Sequence, residues 1–553
     1  MTGLSQKQSR LMVALFFLAL ALIGLLATAP YGIPCDELSE QVILRENMKE
    51  YAYRFLGEQS EAVRYYDRLG VQRISQSIER DHGQCAYYPI ASLLPLAESA
   101  PDLLSLLWHG YTWLWFMAGV LALYGLCRET GLSRPLACAG ALLLYLCPRF
   151  FAEGHYNNKD ILLLSLSLLT LWAGARFLRQ LTVGRGLLFS FFGAMATNTK
   201  IVGTFVWGVI GLCAIVLLTA RREWSRRVVG VAACTLGGYA ACYALLTPAL
   251  WGDAPGYLHY LLLNASGFTR WPGVVLFRGM LFDHAVNPLP RYYLPYMMLV
   301  TLPLYVPLLA IAGQLSAIRR WMLARSRALG DPAALILLAA TLCWLIPLGF
   351  AMLTRTLVYN GWRHFYFIYA GVALLSAHGM QALACALKRL KRPLWRRLGA
   401  GALCLCFTLS AVGIALNQPY QYGYYNALAR KGAQTDMELD YWNVSTQNAM
   451  RALLTAQRNQ SLPLVLGARE DMSWLGIKYA HSVMRADERQ ALAILESADA
   501  PYLFSNTTYA KIYGVPAPEG YRELLRVESY GNVLCVIYEK APSNCALLDK
   551  VVY

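Results

Sequence analysis

Eleven strongly apolar stretches run through the chain, near 11–29, 107–127, 135–148, 161–178, 186–199, 201–219, 228–247, 292–314, 333–353, 365–386 and 398–416. About 20 apolar residues in a helix span a hydrocarbon core, because in lipid every backbone N–H and C=O must be satisfied within the segment. The chain is therefore expected to be a polytopic α-helical membrane protein with about eleven spans. The stretches 135–148 and 186–199 fall short of a full crossing, so each is expected to be tilted, broken or extended into a loop. Composition agrees: 57% of the residues are hydrophobic and 15% charged, which excludes a disordered or nucleic-acid-coating protein despite a net charge of +16.

The positive charge is placed rather than spread. With the N-terminus inside, the connectors 128–134, 176–185, 221–227, 319–331 and 388–397 face the cytoplasm and hold nineteen Lys and Arg against Glu129, Glu223 and Asp331. That bias orients a polytopic chain. It leaves 31–106, 248–291 and everything after 416 outside, and divides the chain into a membrane part, 1–416, and an outer part, 417–553. The first stretch, after Lys7 and Arg10 and ending at Ala27-Thr28-Ala29, has the outline of a secretory leader, but its length favours a retained anchor.

Of 14 cysteines, ten lie in or beside the apolar stretches and read as small buried hydrophobes. Cys35 and Cys85 share the first outer loop and Cys535 and Cys545 the tail, so two disulfides are possible in an oxidising compartment. No Cys/His zinc spacing, P-loop or dinucleotide fingerprint is present.

The first outer loop opens with Pro34-Cys35-Asp36-Glu37, and Leu44, Met48, Tyr51 or Ala52, and Phe55 follow at helical spacing. This predicts an amphipathic helix in the membrane interface, with Asp36 either a helix cap or a working carboxylate. Pro148 to Asp160 joins two apolar stretches with an unusually polar turn holding Arg149, Glu153, His155, Lys159 and Asp160. Ionisable groups at the edge of a bundle are costly unless paired or used. Lys200, Arg355 and Arg363 also sit at outer span ends, against the charge bias. They either snorkel to headgroups or, with Arg149 and Lys159, meet a common anion such as a lipid phosphate. The segment 248–291 is aromatic and polar, with Trp251, Asp253, His259, Trp271 and His284, and suits a lid or an interfacial belt. After 416 the composition becomes that of a small α/β domain: strands at 463–467 and 532–538, helices at 443–457 and 486–497.

An acidic pair after the first span, an amphipathic helix behind it and a second Asp in an outer turn resemble the GT-C glycosyltransferases. The chain is most similar to the family 39-like branch, the bacterial relatives of protein O-mannosyltransferases and of the lipid A aminoarabinose transferase. Pro148-Arg149-Phe150-Phe151, Tyr156-Asn157-Asn158-Lys159-Asp160, Gly361-Trp362-Arg363-His364, Gln418-Pro419-Tyr420 and Asp440-Tyr441-Trp442 carry the likeness. The Trp-Trp-Asp motif of oligosaccharyltransferases is absent; Asp440-Tyr441-Trp442 has a different order.

The resemblance implies a bacterial inner-membrane enzyme whose lipid-embedded donor is a polyprenyl-phosphate sugar and whose acceptor is a cell-envelope glycan, lipid or protein. Asp36 is then the expected base, with Glu37 or Asp160 orienting the acceptor. Arg149, Lys159, Lys200, Arg363 and His364 would hold the donor phosphate, and His155, Tyr156 and Asn158 would touch substrate. Asp36 and Asp160 would hold a divalent cation (Mg2+, Mn2+ or Zn2+) if one is used. The competing classes are a lipid or solute transporter, expected to carry ionisable residues near mid-span, and a non-catalytic cell-envelope assembly protein.

Overall fold

The structure, a computed structural model, describes residues 5–266, 273–283, 285–390 and 393–541. Each apolar stretch is helical, but not all are straight. Among the described residues eight helices are long and apolar enough to cross alone, and two bent pairs have the length and composition of one span each: Arg134–Tyr145 with Pro148–Tyr156 (70°), and Tyr293–Thr301 with Tyr305–Gly330 (114°). Both breaks fall before a proline, where Cys147 and Leu302 take extended backbone, because the proline ring disfavours helical backbone in the residue it follows. The eleventh stretch is Val183–Thr199, a 17-residue helix packed on its neighbours Asp160–Arg179 and Arg226–Leu246.

Asp160–Arg179 is buried along nearly its whole length against Pro101–Glu129, Val183–Thr199 and Gly203–Arg221, whereas Gln6–Leu26 and Pro393–Leu416 lie at the rim. The Tyr305–Ala324 and Tyr369–Arg389 helices touch backbone to backbone. A Cβ on Gly313 would stand 1.8 Å from the Leu375 carbonyl oxygen, so only glycine permits the contact. Of the basic connectors, 128–134 meets 176–185 and 221–227 meets 319–331 at span ends. There Arg179 donates to the Glu129 carbonyl and Arg221 to that of Gly330. The links at 157–159, 200–202 and 355–362 share the opposite end.

At that opposite end the expected interfacial helix is Glu37–Leu56, but its faces differ from a simple amphipathic pattern. Glu37, Glu40, Glu46 and Glu50 are buried, while Phe55 and Leu56 are exposed beside Trp251. The acids point inward because each finds a partner there: His109, Lys159, Gln72 and Ser75 respectively. Residues 248–291 contain the Ala254–Ser266 helix and a hairpin of β1 (Val274–Phe277) and β2 (Met280–Asp283). Its two-residue turn, Arg278-Gly279, has φ of 52° and 73°, as a tight hairpin with native twist requires. Trp271 and His284 lie outside the described residues.

Beyond the last span a five-stranded sheet has the order β4-β3-β5-β7-β6. Its strands are β3 Leu464–Ala468, β4 Leu492–Leu495, β5 Tyr502–Asn506, β6 Tyr521–Ser529 and β7 Asn532–Lys540; β3, β4 and β5 are parallel. The expected strands are β3 and β7, and the first expected helix is Thr446–Ala456. The second is wrong in its later half: Ala486–Ala491 is helical, but Leu492–Leu495 pairs alongside β3. Pairing with a sheet edge overrides local helical preference for four small and aliphatic residues. Residues 417–445 do not join the sheet. They run back across the bundle, where Tyr425, Met437 and Leu439 enter the same apolar core as the spans.

Of the two possible disulfides, the one that lies wholly within the described residues, Cys35–Cys85, does not form. Cys35 and Cys85 are free thiols buried in separate clusters, Cys35 against Tyr441 and Trp442, Cys85 under Met195. Cys535 is free and buried, and Cys545 lies outside the described residues.

Candidate active site

A cavity of about 690 Å³ opens at the end of the bundle away from the basic connectors. Asp36, Glu37, Tyr156, Asn158, Lys159, Asp160, Lys200, Arg363 and His364 all line it. Residues from four separated segments therefore meet in one cavity.

Asp36 stands where a helix cap would stand, yet its side chain caps nothing. The chain ahead of it is pinned by a hydrogen bond from the Cys35 amide to the Trp442 carbonyl (3.0 Å), and Asp36 Oδ2 accepts from Arg363 Nη1 at 3.1 Å. Its side chain is 42% exposed, against 1% for Asp160 and 4% for Glu40. Of these carboxylates it is the one a substrate can reach. Glu37 borders the cavity with both its oxygens engaged, Oε2 with His109 Nε2 (2.6 Å) and Oε1 with Gln41 Nε2 (3.3 Å).

The polar turn owes its shape to Asn157, whose Oδ1 accepts from the amides of Lys159 (3.2 Å) and Asp160 (2.7 Å), a local bond that Asn makes readily. Lys159 and Asp160 both line the cavity beside this turn. Lys159 pairs with buried Glu40, and Lys200 with buried Asp160. Burial alone would discharge Lys159, but Glu40, with Asp36 and Asp160 further off, holds its ammonium above the ordinary lysine range. For Lys200 burial outweighs Asp160 and lowers it. An ammonium has three donors, so each lysine keeps capacity beyond its carboxylate partner. Asn158 Nδ2, His364 Nδ1 and Arg363 Nε are buried with no hydrogen-bond partner among the described residues.

Arg363 is the centre of the cluster. Besides Asp36 it reaches Asp160 Oδ2 (3.8 Å), donates to Tyr441 Oη (3.2 Å), and lies 4.6 Å from the Trp442 ring centre and 5.0 Å from that of Tyr441. Tyr441 and Trp442 follow the last span by some 25 residues of chain and were not singled out as site residues; nor was Glu40. Only the sequence proximity of a Tyr-Trp pair to an Asp hinted at them, and nothing local says that the strand of chain doubles back.

Two expected ligands are elsewhere. Arg149 is 2% exposed, sandwiched against Tyr422 (4.6 Å) and Tyr425 (4.7 Å), with Nε donating to the Tyr424 carbonyl. His155 is stacked between Tyr31 (4.3 Å) and Trp113 (4.4 Å) and bonded to Thr28. Both sit on the bent Pro148–Tyr156 helix, whose 70° turn aims them into the protein and leaves only its last residue, Tyr156, on the cavity wall. Arg355 lines a separate, smaller pocket with Arg291. Asp36 and Asp160 do not suit a divalent cation, because the Arg363 guanidinium already lies between them. Among the described residues Glu79, Asp81 and His82, on the same cavity wall, bring ligand atoms within 4.8 Å of one another.

No family model and no curated protein matches the sequence. Among solved structures the chain is similar to ArnT from Cupriavidus metallidurans in the apo state, at 13% identity and a TM-score of 0.45 over 96% of this chain and 98% of that one. The same protein bound to undecaprenyl phosphate gives 12%, 0.45, 96% and 98%. Arabinofuranosyltransferase AftD from Mycobacteria gives 14% and 0.41, over 98% of this chain and 40% of that one. Likenesses so distant carry no functional weight; the chemistry of the cavity must do so.

Proposed function

We propose that the chain is an inverting membrane glycosyltransferase that moves a sugar from a polyprenyl-phosphate donor to an acceptor hydroxyl or amine. The observation that carries this is a reachable carboxylate, Asp36, paired with Arg363 in a cavity at the span ends that Lys159 and Lys200 also line. The sugar phosphate lies against the three cations while its lipid tail stays between the spans. The acceptor proton passes to Asp36 as the acceptor atom attacks the anomeric carbon, and the bond from that carbon to the phosphate oxygen breaks on the opposite face. The cations and the free amide of Asn158 take up the charge that develops on the leaving phosphate. Asp160 works through Lys200 and Arg363, which it orients, and Glu37 through the support it gives the start of the Glu37–Leu56 helix.

The basic connectors support a reading in which this cavity faces outward from a bacterial inner membrane, with the N-terminus cytoplasmic and the sheet domain outside. A divalent cation, if used, fits Glu79, Asp81 and His82 rather than Asp36 and Asp160, and would add positive charge near the phosphate. The acceptor is a cell-envelope glycan, lipid or protein.

The test is incubation of the purified protein with radiolabelled polyprenyl-phosphate sugars and an envelope extract. Label should move to a product in wild type and not in Asp36→Asn. Absence of both transfer and polyprenyl-phosphate binding across donors would overturn the proposal.

A further inference from the structure

A buried carboxylate behind the cavity takes no part in the reaction proposed above. Glu438 lies in the strap 437–442 that brings Tyr441 and Trp442 to Arg363, and it is 5% exposed. Its Oε1 accepts from the Leu276 amide of β1 (3.2 Å), 162 residues away in sequence, and its Oε2 from Asn360 Nδ2 (3.2 Å), 78 residues away. Two remote segments are thus tied to the strap through one side chain. The strap also pairs with the hairpin directly, through a Phe277–Met437 bridge and a bond from the Gly279 amide to the Asp436 carbonyl (3.3 Å).

Asn360 and Gly361 are both left-handed, with φ of 56° and 81°. This reversal aims Trp362 at Thr301 (2.8 Å) and starts the short helix Arg363–Ile368 with the guanidinium pointing back at the strap. Asn and Gly are the residues that adopt positive φ most readily, so the turn forms locally, and its place against the strap needs a constraint from its surroundings. The Asn360 bond to Glu438 and the Gly361 amide bond to Tyr293 Oη (3.0 Å) supply that constraint. Glu438 therefore touches both sides of the Arg363 contact: the turn that delivers the guanidinium and the strap that carries the rings beneath it.

We propose that Glu438 is a positioning residue that sets Arg363 in the cavity by tying the β1–β2 hairpin and the Asn360-Gly361 turn to the strap. Only the consequence for phosphate binding rests on the proposed function; the tie stands on the geometry alone. Burial pushes the Glu438 carboxyl up to about 7, against the Leu276 and Asn360 bonds and the charges of Arg149 and Arg363, which favour the anion. The other titratable groups facing it are Tyr293, Tyr422, Tyr425 and Tyr509. Both of its ligands are donors, so the tie needs the carboxylate's two acceptor oxygens. A neutral carboxyl carries a proton on one oxygen and must offer it to an acceptor; Asn360 Oδ1, buried without a partner, becomes that acceptor only if the amide turns over. The tie is then rebuilt in a different form below about pH 7, and Glu438→Gln holds it in that neutral form at every pH.

Two measurements on the full chain in detergent test this. In hydrogen exchange at pH 8, Glu438→Ala should raise exchange in 274–283 and 357–363 about tenfold or more and leave β3 and β5 as protected as in wild type. If that variant does not fold, Glu438→Gln should show the same pattern more weakly. Binding of a prenyl phosphate should be about tenfold weaker in Glu438→Gln than in wild type at pH 8, and equal to wild type at pH 6. Unchanged exchange in both variants, or a rise spread evenly over the sheet domain, overturns the tie. Raised exchange with equal affinity at pH 8 overturns the positioning of Arg363. Absence of prenyl phosphate binding in wild type counts against the proposed function, and exchange alone then decides the tie.

Discussion

Replacing Arg363 with Gln removes the group at which the cavity's interactions converge. Its guanidinium donates to Asp36 and Tyr441 and lies 3.8 Å from Asp160, while Nε has no partner among the described residues. A charged hydrogen bond to phosphate is worth about 1.5–3 kcal/mol, which is about 10- to 150-fold in affinity. The upper half of that range is expected, because the substitution also leaves the Asp36 carboxylate uncompensated beside the bound phosphate. The fold should survive, since buried Asp160 keeps its pairing with Lys200 and Asp36 reaches solvent. The assay is calorimetric titration of a polyprenyl phosphate in detergent at fixed ionic strength, with Arg355→Gln as the control. Arg355 carries the same charge near the same face but belongs to another pocket, so its loss should matter little. An Arg363→Gln affinity within about threefold of wild type, or an equal loss in the control, would refute a phosphate site centred on Arg363.

Asp36→Asn should lower turnover by at least about 10²-fold with an unchanged melting temperature, because the native side chain makes no cap bond to lose; a stability loss without a rate loss would make Asp36 structural. Lys159→Met strands Glu40, which is 3% exposed, with only Gln84 as partner. It should cost about 3 kcal/mol in chemical denaturation, most of it recovered in the Glu40→Gln, Lys159→Met double variant; additive losses would disprove the pairing. Glu470, at the end of β3, is pushed by burial up to about 8 from 4.5, with Oε2 unpartnered. The folded domain thus binds an extra proton between those values, and its stability falls as pH rises toward 8. Glu470→Gln should therefore raise the unfolding midpoint most at about pH 9, less at about pH 6 and not at all at about pH 4; equal effects at all three would show that the carboxyl is not protonated in the fold.

Local chemistry made the spans, their direction and the polar turn legible. A run such as 161–178 can only be a buried or membrane helix, and Asn157 shapes the Lys159-Asp160 turn by bonds within four residues. The short stretches flagged as incomplete include the bent Arg134–Tyr145 and Pro148–Tyr156 pair, where a proline announces the break. Asp36 was visible as an acidic residue at a span end, but whether it capped its helix depended on Arg363, 327 residues later.

What sequence alone determined about this protein is therefore its periodic content: apolar runs, basic connectors, and polar clusters at one set of span ends, each set by residues within a helical turn or two of one another. Tertiary structure decided which of those polar residues meet. It placed Arg149 between tyrosine rings and His155 between Tyr31 and Trp113, turned the acidic face of Glu37–Leu56 inward, and carried Glu438, Tyr441 and Trp442 back over the bundle to hold Arg363. A charged side chain in a bundle is positioned by the partner that offsets its desolvation, and here those partners come from segments that no local pattern connects.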